Sequence, residues 1–144
     1  MIAVDSNLLV YSHRRDSPWH ADAKRRLAQL AEGAASWAIP WACVHEFIAI
    51  VTHPKIYRPP STLAQAIEQV ECWLESPSLV VIGERDAYWE RLRGLLRSAK
   101  VAGPKVHDAR IAAVCLLHGV RELWTVDRDF SRFSELGVRN PLSG

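Results

Sequence analysis

The chain lacks the features of secreted, membrane-embedded and disulfide-framed proteins. Its 144 residues include only three cysteines, Cys43, Cys72 and Cys115, widely spaced and without a Cys-x-x-Cys pair. An odd, scattered set argues against a disulfide frame and against a structural zinc site, so buried free thiols in a reducing cytosol are expected. No apolar run approaches the roughly 20 residues needed to span a bilayer. The N-terminus starts on a strand-like segment, with no basic n-region or long apolar h-region. A soluble, cytoplasmic protein without membrane attachment is expected. Charge of one sign is also lacking: 18 basic and 16 acidic side chains leave +2, which alone argues neither for nor against a nucleic-acid partner. There is no Gly-x-x-x-x-Gly-Lys loop, Gly-x-Gly-x-x-Gly turn or Gly-x-Ser-x-Gly elbow. The six histidines show no His-Glu-x-x-His spacing, which speaks against a zinc peptidase. Internal repeats, low-complexity tracts and interdomain linkers are missing too.

What is present is a 49% hydrophobic composition, enough for one compact domain over residues 1–144 with a real core. Short apolar strands are expected at 2–4, 36–39, 79–82, 122–126 and 137–139. Helices are expected at 19–31, 41–52, 62–75, 86–100 and 106–118. Three cap residues, Asp5-Ser6-Asn7, follow the first strand, and Pro40 fits the start of a helix. Residues 54–60 read as a proline-rich loop, Gly103-Pro104 as a break, and 127–133 as a turn or short helix. The alternation points to an α/β fold, a three-layer α/β/α sandwich around a mainly parallel sheet of about four to five short strands. The segment 41–52 is apolar nearly all round and is expected to be buried. Of the six tryptophans, Trp37, Trp73 and Trp124 read as core. Trp19, Trp41, Tyr57 and Trp89 are candidates for partial exposure, against a partner or under stacked bases.

Four acids interrupt or abut these apolar runs. They are Asp5 after Met-Ile-Ala-Val, Glu46 inside Val-His-Glu-Phe-Ile-Ala-Ile-Val, Asp108 before Ala-Arg-Ile-Ala-Ala-Val, and Asp127 after Leu-Trp-Thr-Val. Carboxylates are rarely buried without partners. At an effective dielectric of about 20, two anions roughly 4 Å apart repel by about 4 kcal/mol. Gathered acids are therefore partly protonated or hold a divalent cation. Ordinary explanations exist for three: Asp5 as a helix cap, Asp108 as a helix-start acid, and Asp127 or Asp129 as a turn cap. Glu46 lies mid-helix with no Lys or Arg three or four positions away, and resists such an explanation. Asp5 and Asp127 follow strands, at the edge where parallel sheets bind ligands. Oxygen-only donors suit Mg2+ or Mn2+. Two such ions about 4 Å apart can activate a water and steady the leaving oxygen in phosphodiester hydrolysis. His107, beside Asp108, reads as a surface or packing residue with an accessory role as the alternative.

Together, Val4-Asp5-Ser6-Asn7, Glu46, His107-Asp108-Ala109-Arg110-Ile111-Ala112-Ala113 and Leu123-Trp124-Thr125-Val126-Asp127-Arg128-Asp129-Phe130 resemble a PIN-domain ribonuclease. More narrowly, they resemble the VapC toxins of bacterial toxin–antitoxin pairs, over essentially the whole chain. The resemblance implies a PIN-like fold and a Mg2+- or Mn2+-dependent endoribonuclease acting on RNA, often transfer or ribosomal RNA. It implies metal binding by Asp5, Glu46, Asp108 and Asp127, with Asp129 completing the set, and support from Ser6, Asn7 and Thr125. It also implies a cognate VapB-like antitoxin and a homodimer. The choice between Asp127 and Asp129, and between one metal and two, stays open. So do a PIN-type nuclease of RNA processing or flap cleavage, and a non-catalytic receiver-like module. The latter needs a Lys after a late strand, where this chain has Asp127-Arg128-Asp129.

If the acids gather, the remaining surface is more basic than the total suggests. Arg93, Arg97 and Lys100 fall at i, i+4 and i+7 on one helical face, with Lys105 and Arg110 following. Such a run is ordinarily a solvated face. Beside a site that cuts RNA, it is expected to grip the backbone.

Overall fold

Five short strands form one sheet in the computed structural model, which describes residues 1–142. They are β1 (Ile2–Val4), β2 (Trp37–Pro40), β3 (Leu79–Ile82), β4 (Glu122–Trp124) and β5 (Gly137–Arg139), in the order β3-β2-β1-β4-β5 with every pairing parallel. The helices are α1 (Ser6–His13), α2 (His20–Glu32), α3 (Trp41–Val51), α4 (Leu63–Leu74), α5 (Tyr88–Ser98) and α6 (Val106–Leu117). Short 3-10 turns cover Gly103–Lys105 and Arg128–Arg132.

The chain lays β2 and then β3 on one side of β1, and returns β4 to the other side. Right-handed crossovers therefore place α1–α4 on one face and α5–α6 on the opposite face. This is the expected three-layer sandwich. Within the layers, α1 packs on α2 and α3, α3 on α4, and α5 on α6. Ala3, Val4, Trp37, Ala38, Ile39 and Leu123 are all buried, which explains why these strands read as continuous apolar runs rather than alternating ones.

The strand order reverses between β1 and β4, and in open parallel sheets the crevice beyond such a switch point receives the ligand. Val4 is in register with Trp124, and the Asp5 N–H donates to the Trp124 carbonyl at 3.0 Å. The next residues of the two strands, Asp5 and Thr125, consequently stand side by side at the switch point. A close approach holds the neighbouring edge: a Cβ at Gly137 would lie 2.5 Å from the Arg121 carbonyl oxygen, so β5 can flank β4 only through glycine. Gly119 ends α6 in the left-handed conformation, with φ of 70°. Thr62 and Gln65 form a capping box at the start of α4.

Four expectations need correction. Pro40 pairs with Ile82 and closes β2, so it precedes α3 as its cap instead of opening it. α5 is shorter than residues 86–100: Ala87 (φ 71°) and Lys100 (φ 52°) adopt left-handed backbone beyond its ends. α3 is not buried all round. Cys43, Val44, Phe47 and Val51 face the core, while Trp41, His45, Glu46 and Ala49 are exposed; its overall apolarity hides a polar stripe that opens at the carboxyl edge of the sheet. Cys72 is exposed, because it lies about 100° around α4 from the buried Trp73.

Cys43 and Cys115 are buried free thiols. Burial pushes Cys43 well above its ordinary pKa and Cys115 up to about 12. Trp37, Trp73 and Trp124 are buried, whereas Trp19, Trp41 and Trp89 are exposed and Tyr57 is half-buried. Among the described residues, no helix is long and apolar enough to cross a membrane.

Candidate active site

Asp5 is the hub. It is 4% exposed, and both carboxylate oxygens accept hydrogen bonds. Oδ1 accepts from the Ser6 N–H at 2.7 Å and the Cys43 thiol at 3.4 Å. Oδ2 accepts from the Thr125 hydroxyl at 2.8 Å and from Asn7 Nδ2 at 3.4 Å. The Thr125 oxygen in turn accepts from Asn7 Nδ2 and from the Asp127 N–H, each at 3.0 Å. Ser6, Asn7 and Thr125 thus hold Asp5 in one orientation. Burial raises the Asp5 pKa and the charge of Asp127 adds to it, against the lowering pull of Thr125, Ser6 and Cys43.

In front of this hub, Asp108 from the first turn of α6 meets Asp127 and Asp129 from the turn after β4. One carboxylate oxygen from each lies within 4.8 Å of the others. Asp127 also caps the 3-10 turn, accepting from the Asp129 N–H at 2.9 Å. Burial raises the Asp108 pKa, and the charge of Asp127 raises it further. Glu46 joins from α3 through Ser6, whose hydroxyl donates to Oε2 at 3.3 Å and lies 3.5 Å from Asp5 Oδ1. Its pKa is raised too, first by burial and then by the Asp5 charge. Carboxylates crowded in one cleft repel one another, and a bound cation would offset that repulsion.

The donor set is oxygen only. Among the described residues, Asp108, Asp127 and Asp129 are the one group of three or more such side chains close enough to share an ion. That chemistry fits a hard divalent cation such as Mg2+ or Mn2+. Asp5 and Glu46 lie outside the trio and adjoin it through Thr125, Asp127 and Ser6. The trio includes both Asp127 and Asp129, so the two are not alternatives in space.

The basic residues divide. Lys105 is ion-paired with Asp129, and its Nζ lies 3.9 Å from Asp108 Oδ2. Its ammonium neutralises part of the cluster and holds Asp129 below the ordinary carboxylate range. Arg110 is paired with Glu84. Arg93 and Arg97 are exposed one turn apart on α5, while Lys100 lies past the helix end. Among the described residues, none of these last three forms an ion pair.

Two cavities were not foreseen from the sequence. One, of about 330 Å³, adjoins Glu46 and is lined by Ala42, His45, Glu46, His107 and Arg110. Its only sequence signal is a histidine beside each of two site acids. The other, of about 910 Å³, lies where α1 ends, with His13, Arg14, Arg15, His20, Lys24 and Arg58 on its walls. There Arg14 pairs with Asp16 at 2.6 Å and stacks 4.2 Å over the Tyr57 ring. Its Arg and Lys side chains come from the turn after α1, from α2 and from the loop before α4, so no single stretch of sequence announces them.

Known proteins are similar to this chain over nearly its whole length. A family profile described as PIN domain matches residues 2–136. Ribonuclease VapC48 of Mycobacterium tuberculosis is 30% identical over 140 residues, 97% of each chain. Ribonuclease VapC43 of the same organism is 32% identical over 144 residues, 100% of this chain and 97% of that one. Among solved structures, the sarcin–ricin loop cleaving toxin VapC20 of M. tuberculosis has a TM-score of 0.66 at 20% identity, over 95% of this chain and 99% of that one. VapBC-1 of nontypeable Haemophilus influenzae has a TM-score of 0.68 at 19% identity, over 99% of this chain and 100% of that one.

Proposed function

This chain belongs to the PIN-domain family and, within it, to the VapC ribonucleases, and from that premise we propose that its acid cluster binds Mg2+ or Mn2+ and cuts structured or single-stranded RNA. It is an endoribonuclease, the toxin of a toxin–antitoxin pair with an antitoxin partner. The observation that carries the metal-dependent reading is the convergence of Asp108, Asp127 and Asp129 within 4.8 Å beside the buried Asp5.

In this reading Asp5, Glu46, Asp108, Asp127 and Asp129 are the residues that hold the cation. Bound there, the cation supplies Lewis acidity at a phosphate oxygen and lowers the pKa of an attacking water. The chain itself fixes the geometry. Thr125, Ser6 and Asn7 leave Asp5 no freedom to turn. Ser6 ties Glu46 to the same frame by one oxygen. Lys105 offsets the charge of Asp129 and eases the approach of a polyanion. The exposed Arg93 and Arg97, with Lys100, and the cations of the larger cavity supply sequence-independent contacts to phosphates. The substrate is of the transfer- or ribosomal-RNA class, the toxin works as a homodimer in the cytoplasm, and a VapB-like antitoxin covers the groove.

The test is cleavage of purified transfer and ribosomal RNA by antitoxin-free protein, with Mg2+, with Mn2+ and with EDTA, for wild type and Asp5→Asn. Cleavage that needs the metal and is lost in the variant is expected. Cleavage in EDTA, or full activity of Asp5→Asn, overturns the reading.

A further inference from the structure

Basic side chains and a bound cation contact phosphate and carry no information about base identity. The cavity beside Glu46 has the opposite character. Its walls are Ala42, His45 and Glu46 from α3, and His107 and Arg110 from α6. Two imidazoles and a guanidinium are planar surfaces of the kind on which splayed RNA bases stack, and their N–H groups and the Glu46 carboxylate can pair with a base edge. The Arg110 guanidinium is held by Glu84, which keeps its plane in place. At about 330 Å³, the cavity sits at the small end of ligand pockets, roughly 300–1,000 Å³. It suits one flat group and not a folded segment.

His45 and His107 are both exposed, so core packing does not account for them. Glu46 belongs to the cavity wall and, through Ser6, to the Asp5 hub. A group seated in the cavity therefore lies next to the acid cluster. We propose that this cavity is a nucleobase subsite: it takes the base of a nucleotide flanking the cut phosphate, stacked by His45 and His107, and it sets the sequence preference of cleavage. This rests on the ribonuclease reading above.

The experiment uses the full chain, Mg2+ or Mn2+, and a synthetic RNA stem–loop of mixed loop sequence whose cut bond has been mapped. The base on either side of that bond is removed in turn, leaving an abasic sugar. For wild type, one abasic position is expected to lower kcat/KM by roughly 5- to 100-fold, the worth of a stacked base. For His45→Ala combined with His107→Ala, intact and abasic RNA are expected to be cut alike. His45→Phe combined with His107→Phe keeps the ring faces and is expected to restore the ratio. Equal losses on intact and abasic RNA, no abasic position that matters to wild type, or no restoration by the Phe pair overturns the subsite. Wild type that cuts no RNA with metal overturns the ribonuclease reading instead, and the subsite with it.

Discussion

Replacing Asp5 by Asn removes one charge and one acceptor from the most enclosed carboxylate of the site. In the metal-free protein the consequences oppose each other. An amide has a single oxygen, so its NH2 must face either the Ser6 N–H and Cys43 thiol or the Thr125 hydroxyl, which already accepts two bonds. Either way a buried donor loses its partner, at about 1–3 kcal/mol. Against this, burial and Asp127 hold the Asp5 pKa above its ordinary value, and each unit of such a shift is worth about 1.4 kcal/mol of relief when the charge is removed at neutral pH. The metal-free Tm is therefore expected to fall by less than the roughly 2–12 °C that the lost partner alone would cost, taking about 2–4 °C per kcal/mol for a domain of this size. With metal the two proteins part. At a hundredfold excess over Kd, wild type gains about 2.7 kcal/mol, a rise of roughly 5–10 °C. Loss of a group that holds or orients the metal weakens binding by roughly 10- to 100-fold, which leaves the variant about 1.4 kcal/mol or less at the same concentration. Scanning calorimetry with Mn2+ and with EDTA reads both quantities, beside RNA cleavage. A variant with the full metal-induced rise refutes the assignment. So does one whose metal-free Tm falls by more than about 12 °C, since Asp5 would then be chiefly a structural cap.

Other outcomes follow from the same contacts. Asp5, Glu46 and Asp108 all have raised pKa values, so their protonated forms favour the fold. That contribution is complete below the unfolded pKa, about 4, and is lost as pH climbs through the higher folded values. Asp129, held low by Lys105, acts in the opposite sense and matters only as pH falls below about 4. Metal-free protein should therefore be more stable near pH 5 than at pH 7–8, and the Mg2+-induced rise in Tm should be larger at pH 7–8. Calorimetry that finds metal-free stability rising from pH 5 to 8 contradicts this. Thr125→Val removes the acceptor of the Asp127 N–H, one of the two acceptors of Asn7 Nδ2 and one of the two donors to Asp5 Oδ2. It should lower Tm by roughly 5–10 °C or more, at about 1–3 kcal/mol per group, while Thr125→Ser should stay close to wild type; equal Tm values for the Val and Ser variants would argue against the hub. Arg93→Ala with Arg97→Ala, and separately Arg15→Ala with Arg58→Ala, should each flatten the log–log salt dependence of RNA binding, by about 0.7 per lost phosphate contact. Unchanged slopes in both pairs refute backbone grip by these faces.

Much of the architecture was legible because β1, β2 and β4 are mostly buried and several helices carry ordinary stop signals. Leu79–Ile82 and Gly137–Arg139 stand where short strands are expected, and Gly119 ends α6 as its position suggests. The strand order was not legible, since it depends on pairings between segments as distant as residues 4 and 124. Composition misled at α3: averaging over its apolar residues concealed that His45 and Glu46 share an open stripe. The i, i+4, i+7 spacing misled at Lys100, because the helix ends at Ser98 without a Gly or Pro signal. Lys105 looked like a phosphate contact, and only tertiary structure sets it against Asp129 across 24 residues of chain. Within the site, the residues adjacent in sequence (Asp5 with Ser6 and Asn7, Asp127 with Asp129) were readable together. Their joining to Asp108 and Glu46 was expected from four acids set at the edges of apolar runs and from the family resemblance, while the distances between them come only from the fold.

The opposition between cap and functional acid dissolves in this fold. Asp5 receives the Ser6 N–H at the start of α1, Asp127 receives the Asp129 N–H at the start of its 3-10 turn, and Asp108 sits in the first turn of α6. A helix start offers unpaired N–H groups and a partial positive charge, and both stabilise an anion. Those features make these positions good for caps, and they also lower the energy of keeping several carboxylates near one another before any cation arrives. The parallel sheet brings such starts to a single edge, because the first turns after β1 and β4 begin where those strands end. Glu46 has no such support: it comes from mid-helix, and its link to the site is the Ser6 hydroxyl. Its carboxylate is therefore the member of the set least fixed by backbone and most open to the adjoining cavity, which is where a substrate's own groups can still influence its position.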